Sequence, residues 1–576
     1  MTKALTGPGP EEKALRARLA RLEHALGDPD HPGNPAGVRQ FVTADAKRRL
    51  LPAGERALAE FGLGAELVPT ELGGRFADLD ALARVGRAVY RRDAALGLVC
   101  ATLPFRAAAA VWADGSAQQR RATARLLLDS GRATCAYPAS DAYGSRPLPL
   151  TALERGSSWR LDGRLDALDN AAGAQAVLLF ARALAPCRDG HRRSDVPAGH
   201  ALYAYDAFLL DGPLRDGPGV RLRSGLAASG VRGCEVRGVV FDGHRIGPGQ
   251  RVGPPGAGAA VAARARPALR ALAPSMALGC ADTALRAAVA HVKSRPAHGR
   301  SSLGRPRVRA VLGAAFADLL LCDSLALAAA RTVQLLPGDG ALPAAAAACL
   351  LPAVLLDLVY DLSALLGPEA YADGAGHGAF AKAARDLAVL RGPAAARSTV
   401  AAALPEAGAE RAPAALFRPH QGDFQAPGPA DAAAAGDVLL GSLPGSLRAV
   451  AGAVGPAADR LAAAAAQLDA ELGRFHADRA ALPPGDRAGP RARALADRYA
   501  LLCAGAACLG VWREQRGEGF LGAPDWAAAA LRRVTARLGA AQTGAPDAPD
   551  AVLLDELLHR YDDARSFDLY AGPVGG

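Results

Sequence analysis

Between about residue 132 and residue 250 the hydrophobic period switches from that of helices to that of strands, and afterwards it switches back. One packed layer cannot absorb that change, so helical layers must flank a small sheet. Upstream, Val38 to Phe61, Leu79 to Leu96 and Gln118 to Leu128 carry apolar residues at three- and four-residue spacing. In the middle stand short apolar or alternating runs, Ser158 to Leu161, Ala176 to Ala181, Ala201 to Leu210 and Glu235 to Phe241, set off by Gly, Asp and Pro. Ala/Leu-rich helices return at Pro267 to Val292, Val308 to Leu335, Pro343 to Leu366 and Ala379 to Leu390. Linker-like Pro405 to Pro413 and Pro419 to Pro429 follow, then further helix at Ala449 to Leu472, Ala492 to Arg513 and Trp526 to Leu538. The expectation is an α+β chain with a helical domain over 1–131, a central β domain over 132–250 and a helical bundle over 251–404. A linker over 405–430 and a helical extension over 431–576 complete it. At 576 residues it exceeds one compact core.

Composition closes off several function classes. The charge of +10 comes almost wholly from Arg scattered through an Ala-, Gly- and Pro-heavy chain, with no basic patch interleaved with aromatics, which argues against nucleic acid. The nine cysteines show no Cys-x-x-Cys pair and no cluster with His, so buried thiols are expected rather than zinc or disulfides. The start turns charged at once, which makes a cytoplasmic location the default. Leu342 to Leu356, interrupted by Pro343 and Pro352, falls short of the roughly 20 residues of a membrane helix and reads as a buried helix pair.

Three blocks stand in the order and spacing of the acyl-CoA dehydrogenase family. They are Ala133-Thr134-Cys135-Ala136-Tyr137-Pro138-Ala139-Ser140-Asp141-Ala142-Tyr143-Gly144-Ser145, then Trp159 to Ala171 with the apolar run Ala176 to Arg182, then Gly230 to Asp242 with a helix reaching Lys293-Ser294-Arg295-Pro296-Ala297-His298-Gly299. Gly62 to Gly74 also resembles the Val-Pro…Gly-Gly loop of that family's amino-terminal domains. The resemblance covers roughly residues 35 to 400. It implies helices, a small β domain and a four-helix bundle, with FAD as cofactor and acyl thioesters on coenzyme A or an acyl-carrier protein as substrates. It also implies a homodimer or homotetramer, or a heteromer with a paralogue. The extension resembles a longer actinobacterial-type subgroup associated with acyl-chain desaturation in lipopeptide assembly, hence secondary metabolism.

Carried over residue by residue, the resemblance assigns Tyr137, Ala139, Ser140 and Ser145 of the first block to the flavin and acyl group. In the second block Ala167 stands where the family stacks a ring, and Asp169-Asn170 replaces Thr or Ser followed by Asn. An ionised Asp only accepts hydrogen bonds, and Asp169-Asn170 also reads simply as a turn between strands. Arg295 stands where a family Arg reaches the pyrophosphate, with His298 in place of Phe.

Removing a proton from the thioester Cα needs a carboxylate. The family Glu falls shortly after an Arg-Asp pair; here Arg385-Asp386 is present and Ala394 occupies that place. A minority of the family puts its Glu on the helix before Arg295, where this chain has Leu269. Glu369, Asp373 and His377, in the loop near the dinucleotide in relatives, are the remaining candidates. The basic segment Pro186 to Asp195, with Arg188, Arg192 and Arg193, reads as a surface loop or as a docking patch for an acidic carrier protein. Three readings follow: a FAD-dependent α,β-desaturating dehydrogenase, a non-catalytic partner subunit of a heteromeric dehydrogenase, and a flavin monooxygenase on the same fold.

Overall fold

The computed structural model describes residues 9–138, 149–184, 205–294, 296–297, 300–372, 378–390, 395–405, 413–419, 437–483, 485–486, 489–539 and 547–575. In chain order the helices up to the linker are α1 (Pro10–Leu26), α2 (Val38–Ala46), α3 (Pro52–Phe61), α4 (Leu79–Arg92), α5 (Ala94–Gly97), α6 (Leu103–Asp114) and α7 (Ala117–Leu128). After the sheet come α8 (Gly258–Ser294), α9 (Pro306–Leu335), α10 (Ala341–Leu366), α11 (Gly378–Val389) and α12 (Ala395–Ala402). The extension supplies Leu443–Ala451, Pro456–Ala480, Pro490–Gln515, Pro524–Arg537 and Asp547–Asp562. Contacts divide the chain into two compact units: Met1–Val42, Asp78–Arg92 and Arg270–Gly576 in one, Thr43–Ala77 and Asp93–Leu269 in the other.

The second unit holds the sheet. Its strands are β1 (Ala133–Ala136), β2 (Leu150–Arg155), β3 (Ser158–Asp169), β4 (Ala176–Leu184), β5 (Tyr205–Asp211), β6 (Val220–Gly225), β7 (Val236–Ile246) and β8 (Arg251–Val252). They run in the order β6-β7-β3-β2-β4-β5-β8, with β1 parallel to β4. Alternation along the strands fills one core with Leu150, Leu161, Leu168, Val177, Leu179, Phe208, Val239 and Phe241. The opposite residues of β1, β4 and β5 pack with α6 and the start of α8, through Ala107, Ala110, Cys135, Leu178, Phe180, Val261 and Ala265. The helix expected over Leu79 to Leu96 stops at Arg92, because Asp93 turns extended and its carboxylate accepts Leu96 N–H (2.6 Å) to cap the next helix.

In the first unit α4 is buried along its whole length and its arginines are neutralised from several directions. Arg84 meets Glu12 (2.7 Å), Arg91 meets Glu23 (3.0 Å) and Asp282 (3.2 Å), and Arg87 pairs with Asp323. The helix pair expected over Leu342 to Leu356 is instead a single helix, α10, with Pro352 inside it. Burial of most of α10's apolar surface favours helix strongly enough to absorb the one hydrogen bond Pro352 cannot make. Among the described residues four helices are long and apolar enough to cross a membrane by length and composition, and 67–83% of their apolar windows is buried within the protein. Of the cysteines, six of the eight described are buried and all eight are free; Cys187 lies outside the described residues.

Candidate functional site

The ends of β1 and β3 in the second unit bring Thr134, Asp169 and Asn170 together. Thr134 on β1 donates its hydroxyl to the carbonyl of Asp169 (2.6 Å), fixing the end of β3 against β1. Asn170 then turns the chain with φ +52°, a left-handed conformation that Asn tolerates better than most residues. Its N–H donates to the Glu235 carbonyl (2.5 Å). A Cβ on Gly173 would lie 2.3 Å from Asn170 Oδ1, so that glycine is what lets the turn close. The turn reading of Asp169-Asn170 is therefore right about the backbone.

The side chains do more than a turn requires. Asn170 is 5% exposed, and its Nδ2 has no hydrogen-bond partner among the described residues. Beside it the Asp169 carboxyl is pushed up by burial, with Arg106 opposing the shift. The Cys135 and Cys234 thiols are likewise pushed up by burial, Cys234 to about 12, and stay neutral.

Tyr137 follows β1, donates its hydroxyl to the Arg106 carbonyl (3.0 Å) and packs on Phe180 at 5.0 Å. Phe180 in turn meets Tyr205 edge-on at 6.1 Å. These rings line adjacent strands, β1, β4 and β5, beneath α6 and the first turns of α8. A π-helical turn at Leu98–Thr102 separates α5 from α6, the helix that carries Arg106. Arg106 and Arg266 are partly buried, and both charges reach the Tyr137 phenol. Neither arginine was singled out from the sequence, because an Arg within an Ala-rich helix looks like a solvated face. A separate cavity of about 270 Å³ in the same unit is lined by Glu55, Leu63, Leu67, Cys100, Leu127 and Arg132 among others.

Leu269, at the minority position for the base, is partly buried and packs on the same apolar cluster as Tyr137 and Tyr205. It offers no proton acceptor. Glu369, in the first unit, holds its Oε2 3.1 Å from His291 Nδ1, and both side chains are largely buried. Ala139, Ser140, Ser145, Arg295, His298, Asp373, His377 and Ala394 lie outside the described residues, as does the segment carrying Arg188, Arg192 and Arg193. No group of three or more His, Cys, Asp or Glu among the described residues has the arrangement of a metal site.

No protein-family model matches the chain. By sequence it is 28% identical over 258 residues to the human mitochondrial short-chain specific acyl-CoA dehydrogenase, covering 44% of this chain. The match spans 58% of that relative's length. Among solved structures it is similar to butyryl-CoA dehydrogenase from Megasphaera elsdenii, with TM-score 0.55 and 17% identity over 68% of this chain and 95% of the other. PigA with FAD and proline gives a TM-score of 0.58 and 17% identity, over 70% of this chain and 99% of that one. The prolyl acyl carrier protein oxidase AnaB gives 0.54 and 16%, over 69% of this chain and all of that one.

Proposed function

We propose, for a chain similar in sequence to a short-chain acyl-CoA dehydrogenase and sharing the fold of butyryl-CoA dehydrogenase, membership of that family and a FAD-dependent oxidation of an acyl thioester that introduces an α,β double bond. The observation that carries this reading is the end of β3. A buried amide donor without a partner among the described residues, Asn170 Nδ2, stands beside a desolvated carboxyl, where the family resemblance expects the flavin's polar edge. Those residues fit the group. Asn170 would donate to a ring oxygen, and the Asp169 carboxyl, whose protonated form burial favours, would donate where an ionised Asp only accepts. Tyr137 would close the ring's apolar side. When bound, FAD supplies a hydride acceptor for Cβ. The chain's own residues orient the thioester and keep water from it: Tyr137, Phe180 and Leu269 form an apolar wall.

The substrate would be carried on coenzyme A or on an acyl-carrier protein, in a cytoplasmic oligomer serving secondary metabolism. That assignment extends the family reading and the fold shared with the carrier-protein oxidase.

Leu269 favours a second reading. With Ala394 at the other customary position, neither place offers a carboxylate, and the chain would then complete a paralogue's site as a partner subunit. The test is Ala394→Glu. General-base catalysis contributes about 10²–10⁴-fold, so a correctly placed carboxylate should speed reduction of the bound flavin by an acyl-CoA by about that range. Rapid reduction in the unmodified chain, with no gain in the variant, would show that another group already takes the proton. No reduction in either form, with reduction restored by an added paralogue, would favour the subunit.

A further inference from the structure

We propose that the cavity between α3 and the end of α7 binds a neutral amphiphile, a chain of about eight carbons ending in a hydroxyl or amide, independently of the flavin chemistry above. Its floor is apolar: Leu58, Leu63, Leu67 and Leu127 are 1–3% exposed, and the half-buried Cys100 lines it with them. The walls are braced against collapse. A Cβ on Gly64 would stand 1.8 Å from the Leu127 carbonyl oxygen, so the loop after α3 already meets the end of α7 through backbone. The Trp112 indole donates to the Leu67 carbonyl (3.1 Å), Arg75 to the Gly62 carbonyl (2.6 Å) and the Arg132 N–H to Gln175 Oε1 (2.6 Å). Protein interiors are packed almost without voids, and apolar cavities of about 150 Å³ hold a benzene. The 270 Å³ here takes roughly ten heavy atoms on that scale.

The rim decides the head group. Glu55 and Arg132 pair there, each side chain 26% exposed, while Arg56 and Ser130 stand exposed to water beside them. Burial pushes the Cys100 thiol up to about 12, with Arg132 opposing the shift and Glu55 and Asp93 adding to it. The thiol is therefore neutral, and charges of both signs bear on the floor. An entering carboxylate would gain Arg132 but meet Glu55, and an ammonium the reverse, each after losing its own hydration. A hydroxyl or amide carries donor and acceptor together. It donates to Glu55 and accepts from Arg132 without bringing a charge out of water.

Equilibrium dialysis of the protein as purified would measure binding of octan-1-ol, octanamide, octanoate and octylamine, which match in chain length and differ in head group and charge. The expected result is saturable binding of the alcohol and the amide, tighter by about tenfold or more than that of either ion. Ala59→Leu, at the exposed edge of the cavity, should abolish it, and Glu55→Gln should move the preference toward octanoate; melting curves would verify that each variant is folded. A second measurement needs no variant: octan-1-ol should slow modification of Cys100 by methyl methanethiosulfonate, read by peptide mass spectrometry, and leave that of Cys349, also half-buried, unchanged. Octan-1-ol held equally by Ala59→Leu, or slowing both thiols alike, would place it elsewhere and overturn the site. Octanoate or octylamine held as tightly as the alcohol by the parent, and lost in Ala59→Leu, would overturn the neutral class. Binding of none of the four would overturn the proposal and leave the thioester reading standing.

Discussion

At the residue scale, position 170 couples backbone and chemistry. A left-handed φ selects Asn over most residues, while the buried amide Nδ2 has no described use within the fold. Asn170→Gly keeps that backbone conformation and removes only the amide, so flavin content at purification should fall while the melting temperature stays close to that of the parent. Unchanged flavin would make Asn170 a turn residue and nothing more. The sequence made Asp169-Asn170 legible because turn chemistry is local. It did not make the packing of Tyr137 on Phe180 legible, because that contact joins segments distant in the chain.

Asp437 carries a prediction of a different kind. It is 6% exposed, caps Leu439 and Leu440 N–H (both 3.1 Å), and burial raises its carboxyl from the ordinary 3.8 to about 6. The folded state thus binds the proton more tightly than the unfolded chain, so stability is lost as pH rises from about 4 to about 6. Asp437→Asn keeps an acceptor for the cap and removes the charge. It should match the parent below pH 4 and exceed it above pH 6 by up to about 3 kcal/mol, on the scale of 1.36 kcal/mol per pKa unit. A difference that does not change with pH would contradict the buried-carboxyl account.

At the scale of elements, close approach of helices is set by single glycines and single acids. A Cβ on Gly279 of α8 would stand 2.4 Å from the Arg87 carbonyl and 2.8 Å from Arg91 N, both backbone atoms of α4 that cannot swing aside. Gly279→Ala should therefore cost about 1–3 kcal/mol in denaturant unfolding, despite the gain in helix propensity. Between α9 and the extension helix Pro524–Arg537, buried Asp318 is forked by Arg533 (2.6 and 3.0 Å) and Arg537 (2.9 and 3.0 Å). Asp318→Ala strands two partly buried cations and should cost about 3 kcal/mol or more. A loss below about 1 kcal/mol would mean that Asp357 and Asp361, within 4.0 Å of these arginines, take over. Periodicity made the long helices Pro306–Leu335 and Pro490–Gln515 and the strand Ala176–Leu184 readable, but not Pro10–Leu26 or Val220–Gly225. The breaks were not: Asp93 ends a helix by capping the next one, and Pro352 fails to end one because the surrounding burial holds it.

At the scale of the whole molecule, the extension does more than add helices. Residues 566–570 enter the arginine cluster of α4: Phe567 N–H donates to Asp282 (3.0 Å), Leu569 N–H to Asp323 (2.8 Å) and the Tyr570 hydroxyl to Asp80 (2.5 Å). Arg84 lies 3.9 Å over the Tyr570 ring, and although burial alone would push the Asp568 carboxyl up, Arg91 and Arg87 hold it below its ordinary value. These partners sit some 250 to 490 residues apart in the chain, which is why hydrophobic pattern revealed helices in the tail but not where its last segment goes. The layout of helices, sheet and helices was legible because each period is local, and the family blocks were legible because their order is. The central claim, that this fold still oxidises acyl thioesters with FAD, has one direct measurement: the visible absorbance of the purified chain before and during anaerobic titration with an acyl-CoA. The account predicts a flavin spectrum in the isolated protein that bleaches as the thioester is added. A chain that neither carries nor takes up flavin, or whose flavin no acyl thioester reduces even with a paralogue present, would contradict it.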